Sequence, residues 1–309
     1  MCKLFIATKI KNKKLAGRLG EGVVPYLGMH DRDGFGCVYP TKEGVEWSST
    51  IESDFKFKNK EKYKKSKDFN IKDIAKHGFY VLHSRWATCE KGIKNTHPMH
   101  VDNYIYCHNG VIRNQEDFNL NKRFTTSCDS EAIGWSLHDS KGNLSKAYSK
   151  LIGYAAIGLI DTVHRQFIVA NSDATLHKII VKDVGEFYVT QPWHLIYLAK
   201  AFGLKIISDL PFEGGVSIDI DSWTTKRLEK IKTKSQYEVK IPPKSQTSYG
   251  DYLNVSQKNG LDKSWDGDVD SLVEELEVDE LAIDDDANYD EFALDWKRIN
   301  GQYVYGGGE

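Results

Sequence analysis

Apolar positions in this chain fall in short runs more often than in helical rows. Leu4-Phe5-Ile6-Ala7, closed by Thr8, is a continuous apolar run of the kind that forms a strand buried on both faces. The glycines at 17, 20, 22 and 28 then predict a connection rather than an element. Asp33-Gly34 is a turn signal, and the residues after it alternate as a strand through Tyr39. Strands are predicted at 78–85 and 104–108, and each ends in polar side chains, a common way to present chemistry on a rigid element. Helical spacing appears at Ile133, Trp135 and Leu137, within 130–138, and Asn143 is placed to cap a helix through Leu151. Four strands follow, at 154–161, 166–171, 176–181 and 185–191. A helix over 193–202 is stopped by Gly203.

The pattern fades near residue 222. This predicts a globular domain over 1–222 and an extension with an acidic tail over 223–309. Lysine and threonine dominate to Lys244. From Leu261 the chain is acidic, with Asp284-Asp285-Asp286 and few large apolar residues, a composition that favours disorder or ordering on a partner. Leu281, Phe292, Leu294 and Trp296 are candidate anchors for such docking. Asp266, Asp268, Asp270 and Glu277 stand at positions 1, 3, 5 and 12 of an EF-hand-like loop, but Ser271 occupies the position that requires glycine. This stretch reads as a solvated acidic run.

Composition narrows the class. The chain has 309 residues, 40% of them apolar, enough for a sizeable core. A net charge of −2 gives no global attraction to nucleic acid or to an anionic membrane. The lysines of 55–76 read as a solvated insertion. The alternative, a basic face for nucleic acid, lacks regularly spaced aromatics. Five cysteines at irregular spacing, with no CxxC, argue against a disulfide framework and for a reducing compartment. Cys89, His97, His100, Cys107 and His108 crowd together but fit no zinc spacing. No apolar run reaches the ~20 residues of a membrane helix, and lysines at 9, 11, 13 and 14 break the opening run, unlike a signal peptide. The expectation is a soluble cytoplasmic protein with no metal, no cofactor and no membrane partner.

The second residue changes the picture. If Met1 is removed, Cys2 carries a thiol and a free α-amine on one carbon frame. An α-amine titrates near about 7.7–8.0, close to where a general base works best, and terminal-amine activation of a nucleophile is an established arrangement. An ordinary first strand with a chance cysteine is the competing reading of this stretch.

Four motifs stand behind Cys2: His83-Ser84-Arg85-Trp86-Ala87-Thr88, Asn95-Thr96-His97-Pro98, His108-Asn109-Gly110-Val111-Ile112-Arg113-Asn114, and Cys128-Asp129-Ser130-Glu131. In this order and spacing they resemble the class II, N-terminal-nucleophile glutamine amidotransferase domain. The likeness covers roughly residues 2–220. Met1 to Phe5 and Asp33 to Gly36 are most similar to the stand-alone branch of that family. The resemblance implies an α+β fold, a four-layer αββα sandwich of two antiparallel sheets with helices outside. It also implies glutamine as substrate and release of ammonia through a Cys2 thioester. Asn109 and the Gly110 N–H then form the oxyanion hole, where each donor is worth about 10²–10³ in rate. Arg85 holds the α-carboxylate with its planar fork, and Asp129 accepts from the α-ammonium. Trp86, Thr88 and His97 line the pocket. Taken singly, these residues have plainer readings: a hairpin turn at Asn109-Gly110, a surface ion pair for Arg85, and a helix N-cap for Asp129.

Two departures stand out. Lys3 follows the nucleophile where the family often has glycine, and Val189-Thr190-Gln191-Pro192 replaces a segment that commonly carries Ser-Glu. The remaining ~90 residues leave no room for a synthase domain, so the ammonia acceptor is expected on a separate protein. The alternatives are another γ-glutamyl amide hydrolase, or a catalytically silent assembly module with the same fold.

Overall fold

The computed structural model describes residues 2–30, 33–41, 44–51, 70–87, 90–172, 174–228, 231–234, 296–299 and 302–305. Most of the Lys-rich insertion, the EF-hand-like run, Leu281, Phe292 and Leu294 lie outside them. The chain divides into two units, 1–254 and 255–309.

The first unit is organised on β1 (Lys3–Thr8), all six residues of which are buried. It pairs antiparallel on one side with β4 (Tyr80–Ser84) and on the other with β10 (Gly185–Val189). β2 (Phe35–Pro40) and β3 (Val45–Thr50) extend the sheet beyond β4. β9 (His177–Val181) and β11 (Ile206–Pro211) extend it beyond β10. The second sheet runs β13 (Thr225–Leu228), β12 (Gly214–Asp219), β8 (Gln166–Ser172), β7 (Gly153–Asp161), β6 (Tyr104–Ile112) and β5 (Met99–Val101). Every strand pair in both sheets is antiparallel.

Strand alternation assigns the layers. Leu4, Ile6 and Val81 face Ile105, Ala156 and Val169 in one buried cluster between the sheets. Phe5 points the other way and stacks on Tyr80, with ring centroids 6.0 Å apart. The Tyr80 hydroxyl donates to the Ala16 carbonyl of α1 (Lys13–His30) at 2.9 Å. Helix α5 (Pro192–Ala201) lies beside α1. On the far side, Tyr106, Leu159 and Ile168 pack against Ala132, Ile133 and Leu137 of α3 (Glu131–Asp139) and against α4 (Leu144–Tyr148). The result is the four-layer αββα sandwich that the resemblance implied.

The glycine-rich connection expected after β1 is instead helix α1. Its glycines serve close packing. A Cβ at Gly17 would stand 2.9 Å from the Lys72 backbone of the short helix α2 (Ile71–Ile74), and one at Gly20 would stand 2.4 Å from the Tyr80 hydroxyl. Tertiary contact, which local propensity cannot see, outweighs the helix cost of glycine, about 1 kcal/mol. Asn143 caps α4 as expected, accepting from the Lys146 N–H at 2.9 Å, although that helix ends at Tyr148. Ordered chain continues past Ser222: β13 pairs with β12, Ile231 is buried, and the Lys234 N–H donates to the Leu151 carbonyl at 2.7 Å.

In the second unit β14 (Trp296–Ile299) and β15 (Gln302–Tyr305) form an antiparallel pair. No described helix is long and apolar enough to cross a membrane.

Candidate active site

Cys2 is half-buried at the entrance to β1. Because Lys3 faces Ser84 in the register, Cys2 lies beside the residues that leave β4. Its Sγ is 3.4 Å from the Trp86 N–H, which donates to it, and 3.5 Å from the Trp86 carbonyl. Arg85 is 2% exposed, and its Nη2 donates to the Glu90 carbonyl at 2.9 Å. Trp86 is 49% exposed. Thr88 lies outside the described residues.

Asn109 and Gly110 sit on the opposite sheet. They are interior to β6 and face Ala156 and Ala155 of β7, so the plainer reading of Asn-Gly, a hairpin turn, does not hold. Glycine is needed there for close approach. With φ of +154°, a Cβ would lie 2.1 Å from the Tyr154 carbonyl oxygen. Asn109 is buried, and its Oδ1 accepts no hydrogen bond among the described residues, so the fold leaves that end of the carboxamide unused.

One buried contact joins the two sheets at this point. The His83 Nε2–H donates to the His108 carbonyl at 2.9 Å. His83 faces Leu4 of β1, and His108 precedes Asn109, so the contact sets Asn109 across the interface from the Cys2 end of β1. Burial, and then the charges of Cys37 and Cys2, push the Cys107 thiol well above its ordinary value. His97 does not open to solvent. It is 2% exposed and packs on His83 with ring centroids 4.2 Å apart, and neither of its ring nitrogens is hydrogen-bonded among the described residues. His83 opens the first of the four motifs, but the sequence assigns it no role of its own in the site. The rest of its motif was the available signal.

The Asp129 carboxylate does not cap α3. Its Oδ2 accepts from the Ile112 N–H at 2.6 Å and so holds the end of β6. Helix α3 is docked to the same strand from inside. His108 Nδ1 is 2.8 Å from Ser130 Oγ, and the Tyr106 hydroxyl donates to the Ser130 carbonyl at 2.9 Å.

Both departures lie along β1, Lys3 within it and Thr190 beside it. Strand alternation sends Lys3 to the helical face, where its buried ammonium donates to the Tyr26 carbonyl of α1 at 3.2 Å. Thr190 extends the pairing with β1. Its Oγ1 accepts from the Leu4 N–H at 3.0 Å, and its own N–H donates to the Leu4 carbonyl at 3.1 Å. A cleft of about 370 Å³ lies between Trp47 and Ser49 of β3 and Met99 to Val101 of β5, and Thr96, Pro98 and Glu131 of the motifs also line it. Among the described residues no cluster of three or more His, Cys, Asp or Glu side chains is arranged to hold a metal ion.

No family model matches the chain. Its sequence is 26% identical, over 183 residues, to the glutamine–fructose-6-phosphate aminotransferase (isomerizing) of Buchnera aphidicola subsp. Acyrthosiphon pisum, a match covering 55% of this chain and 30% of that enzyme. The structure of glutamine phosphoribosylpyrophosphate amidotransferase from B. subtilis, complexed with ADP and GMP, is similar with a TM-score of 0.52 and 17% identity. The overlap covers 74% of this chain and 49% of that one. A structure of the allosteric regulatory enzyme of purine biosynthesis gives the same figures. The chain therefore spans less than half the length of each of these relatives, and the structural likenesses speak for the fold. The motif order and the sequence match agree with the class II glutamine amidotransferase domain that the resemblance implied.

Proposed function

We propose that this domain hydrolyses the side-chain amide of glutamine with Cys2 as nucleophile. The observation that carries the reading is the meeting of positions 2 and 86 at 3.4 Å, at the strand end that also delivers the buried Arg85. The Cys2 thiol gives its proton to its own α-amine, and the thiolate attacks the amide carbon. The oxyanion is held by the Asn109 carboxamide and the Gly110 N–H. Collapse breaks the C–N bond, and the proton carried by the α-amine leaves with ammonia. Water then cleaves the γ-glutamyl thioester to give glutamate and free Cys2. Arg85 takes the substrate carboxylate and Asp129 its ammonium, with Trp86, Thr88 and His97 around them. The ammonia goes to an acceptor held by a partner protein.

The test is intact mass and glutamine-dependent ammonia release on one sample, followed by labelling with diazo-oxo-norleucine. The expected result is an active protein lacking Met1, with the label on Cys2 alone of the five cysteines. Active protein that retains Met1, or a label on Cys89 or Cys107, refutes the reading.

A further inference from the structure

Asp33 is tied to the segment that touches the nucleophile, and the proposed chemistry gives it no part. Its Oδ2 accepts from the Ala87 N–H at 2.8 Å. Its own N–H donates to the Arg85 carbonyl at 3.2 Å, and the Arg85 N–H donates to the Gly34 carbonyl at 2.7 Å. These three bonds occupy the peptide groups on both sides of Trp86. What they leave over, the N–H and carbonyl of Trp86 itself, are the two groups that lie at the Cys2 sulfur. The turn cannot easily shift, because Gly34 packs on Thr96 so closely that a Cβ would stand 2.6 Å from that side chain.

We propose that Asp33 is a positioning residue that fixes the 85–87 segment so that the Trp86 N–H donates to the Cys2 thiolate. The proposal rests on Cys2 being the nucleophile. A donor aimed at sulfur favours the charged form and lowers the thiol pKa. More thiolate is then present at neutral pH. Burial pushes the Asp33 carboxyl up, but Lys91 and the Ala87 N–H, with the charges of Lys91 and Arg85, hold it below the ordinary carboxylate value. Lys91 itself reaches Oδ1 from solvent, its side chain 76% exposed, and an exposed pair of this kind contributes little. The bond to Ala87 is the part that positions.

Charge and positioning predict opposite signs, which makes the proposal testable. Removing a negative charge near sulfur lowers a thiol pKa, and removing an aimed N–H raises it. The rate of Cys2 alkylation by iodoacetamide is followed against pH by peptide mass spectrometry, beside kcat and KM for ammonia release. Asp33→Ala is expected to raise the midpoint by about one to two units. Its kcat near neutral pH falls correspondingly, by about tenfold or more, recovers at higher pH, and KM does not change. Asp33→Asn, which keeps an acceptor but loses the charge, and Lys91→Met are expected to stay near wild type. Asp33→Glu, which keeps the charge and displaces the acceptor, is expected to rise. If Asp33→Ala does not fold, the Asn and Glu variants decide. A shift in Asn without one in Glu, or no shift in either, overturns the proposal. If Cys2 of the wild-type protein fails to react while another cysteine does, the nucleophile reading itself has failed.

Discussion

Three buried histidines make acid stability a quantitative test of how the two sheets are joined. His83, His97 and His108 are each no more than 2% exposed. Burial pushes His83 down to about 3 against the opposing bond to the His108 carbonyl, with His108 and Arg85 adding to the fall. His97 is held well below its ordinary value by burial and then by His83, His108 and Arg85. His108 is lowered by burial, opposed by Asp129. In the unfolded chain each takes up a proton near about 6.5. Below that pH the unfolded state binds more protons than the folded one, so stability falls as pH falls. For His83 the window runs from about 6.5 down to about 3. At pH 5, about 1.5 units below the unfolded value, the loss from His83 alone is about 2 kcal/mol.

His97 and His108 act in the same direction, so the buried histidines should cost the wild-type protein on the order of 2 kcal/mol between pH 7.5 and 5. That is a large share of a net stability of about 5–15 kcal/mol. Asp33, Asp139 and Glu186 are also held below their ordinary values, but most of their contribution is lost below about pH 4.5, so at pH 5 the histidines dominate. The assay is urea unfolding at both pH values, on wild type and on His83→Gln, whose amide N–H can still reach the His108 carbonyl. The variant should lose about 2 kcal/mol less than wild type over the same interval. A wild type equally stable at both pH values refutes the reasoning. So does a variant with an undiminished pH-dependent loss.

Four substitutions separate roles within the site. Asn109→Ala should lower kcat for ammonia release by about 10²–10³ with little change in KM, while Arg85→Ala should raise KM and, by loosening substrate orientation, lower kcat as well; steady-state kinetics on one preparation compares them. Asp129→Asn keeps an acceptor for the Ile112 N–H, so its melting temperature should hold while KM for glutamine rises; unchanged glutamine kinetics in both this variant and Arg85→Ala would mean that the pocket does not read an amino-acid zwitterion. Gly110→Ala places a methyl 2.1 Å from the Tyr154 carbonyl and should cost about 1–3 kcal/mol in a thermal or urea melt, with activity falling as β6 moves away from β7.

What could be read from the sequence was strand chemistry and motif order. What could not was contact at a distance. β1, β7 and β8 were legible because buried strands announce themselves in apolar runs. Helix α1 was not, because glycine carries a local meaning, a flexible turn, and a tertiary one, a surface that lets Lys72 and Tyr80 approach. The two cannot be told apart without the partners. Asp129 shows the same limit. Locally it reads as a helix cap, yet its carboxylate reaches Ile112, on the strand that carries Asn109 and Gly110.

Asp33 carries this further. In the sequence it is half of an Asp-Gly turn, and in the structure it sits at a bend just before β2. The turn alone would need only a residue tolerant of the bend. The side chain, however, goes to the Ala87 N–H, 54 positions along, and the two bonds beside it run to Arg85. A turn residue and a residue that orients the nucleophile's neighbour are therefore one residue, and turn chemistry explains only the backbone half of its bonds. The same division holds for His83. Pairing with β1 accounts for its backbone, and the bond to the His108 carbonyl accounts for a buried imidazole that the strand alone has no use for. Buried polar groups demand partners. In this fold, following Asp33 and His83 to theirs leads from each end of the motif set to the sulfur of Cys2 and to Asn109.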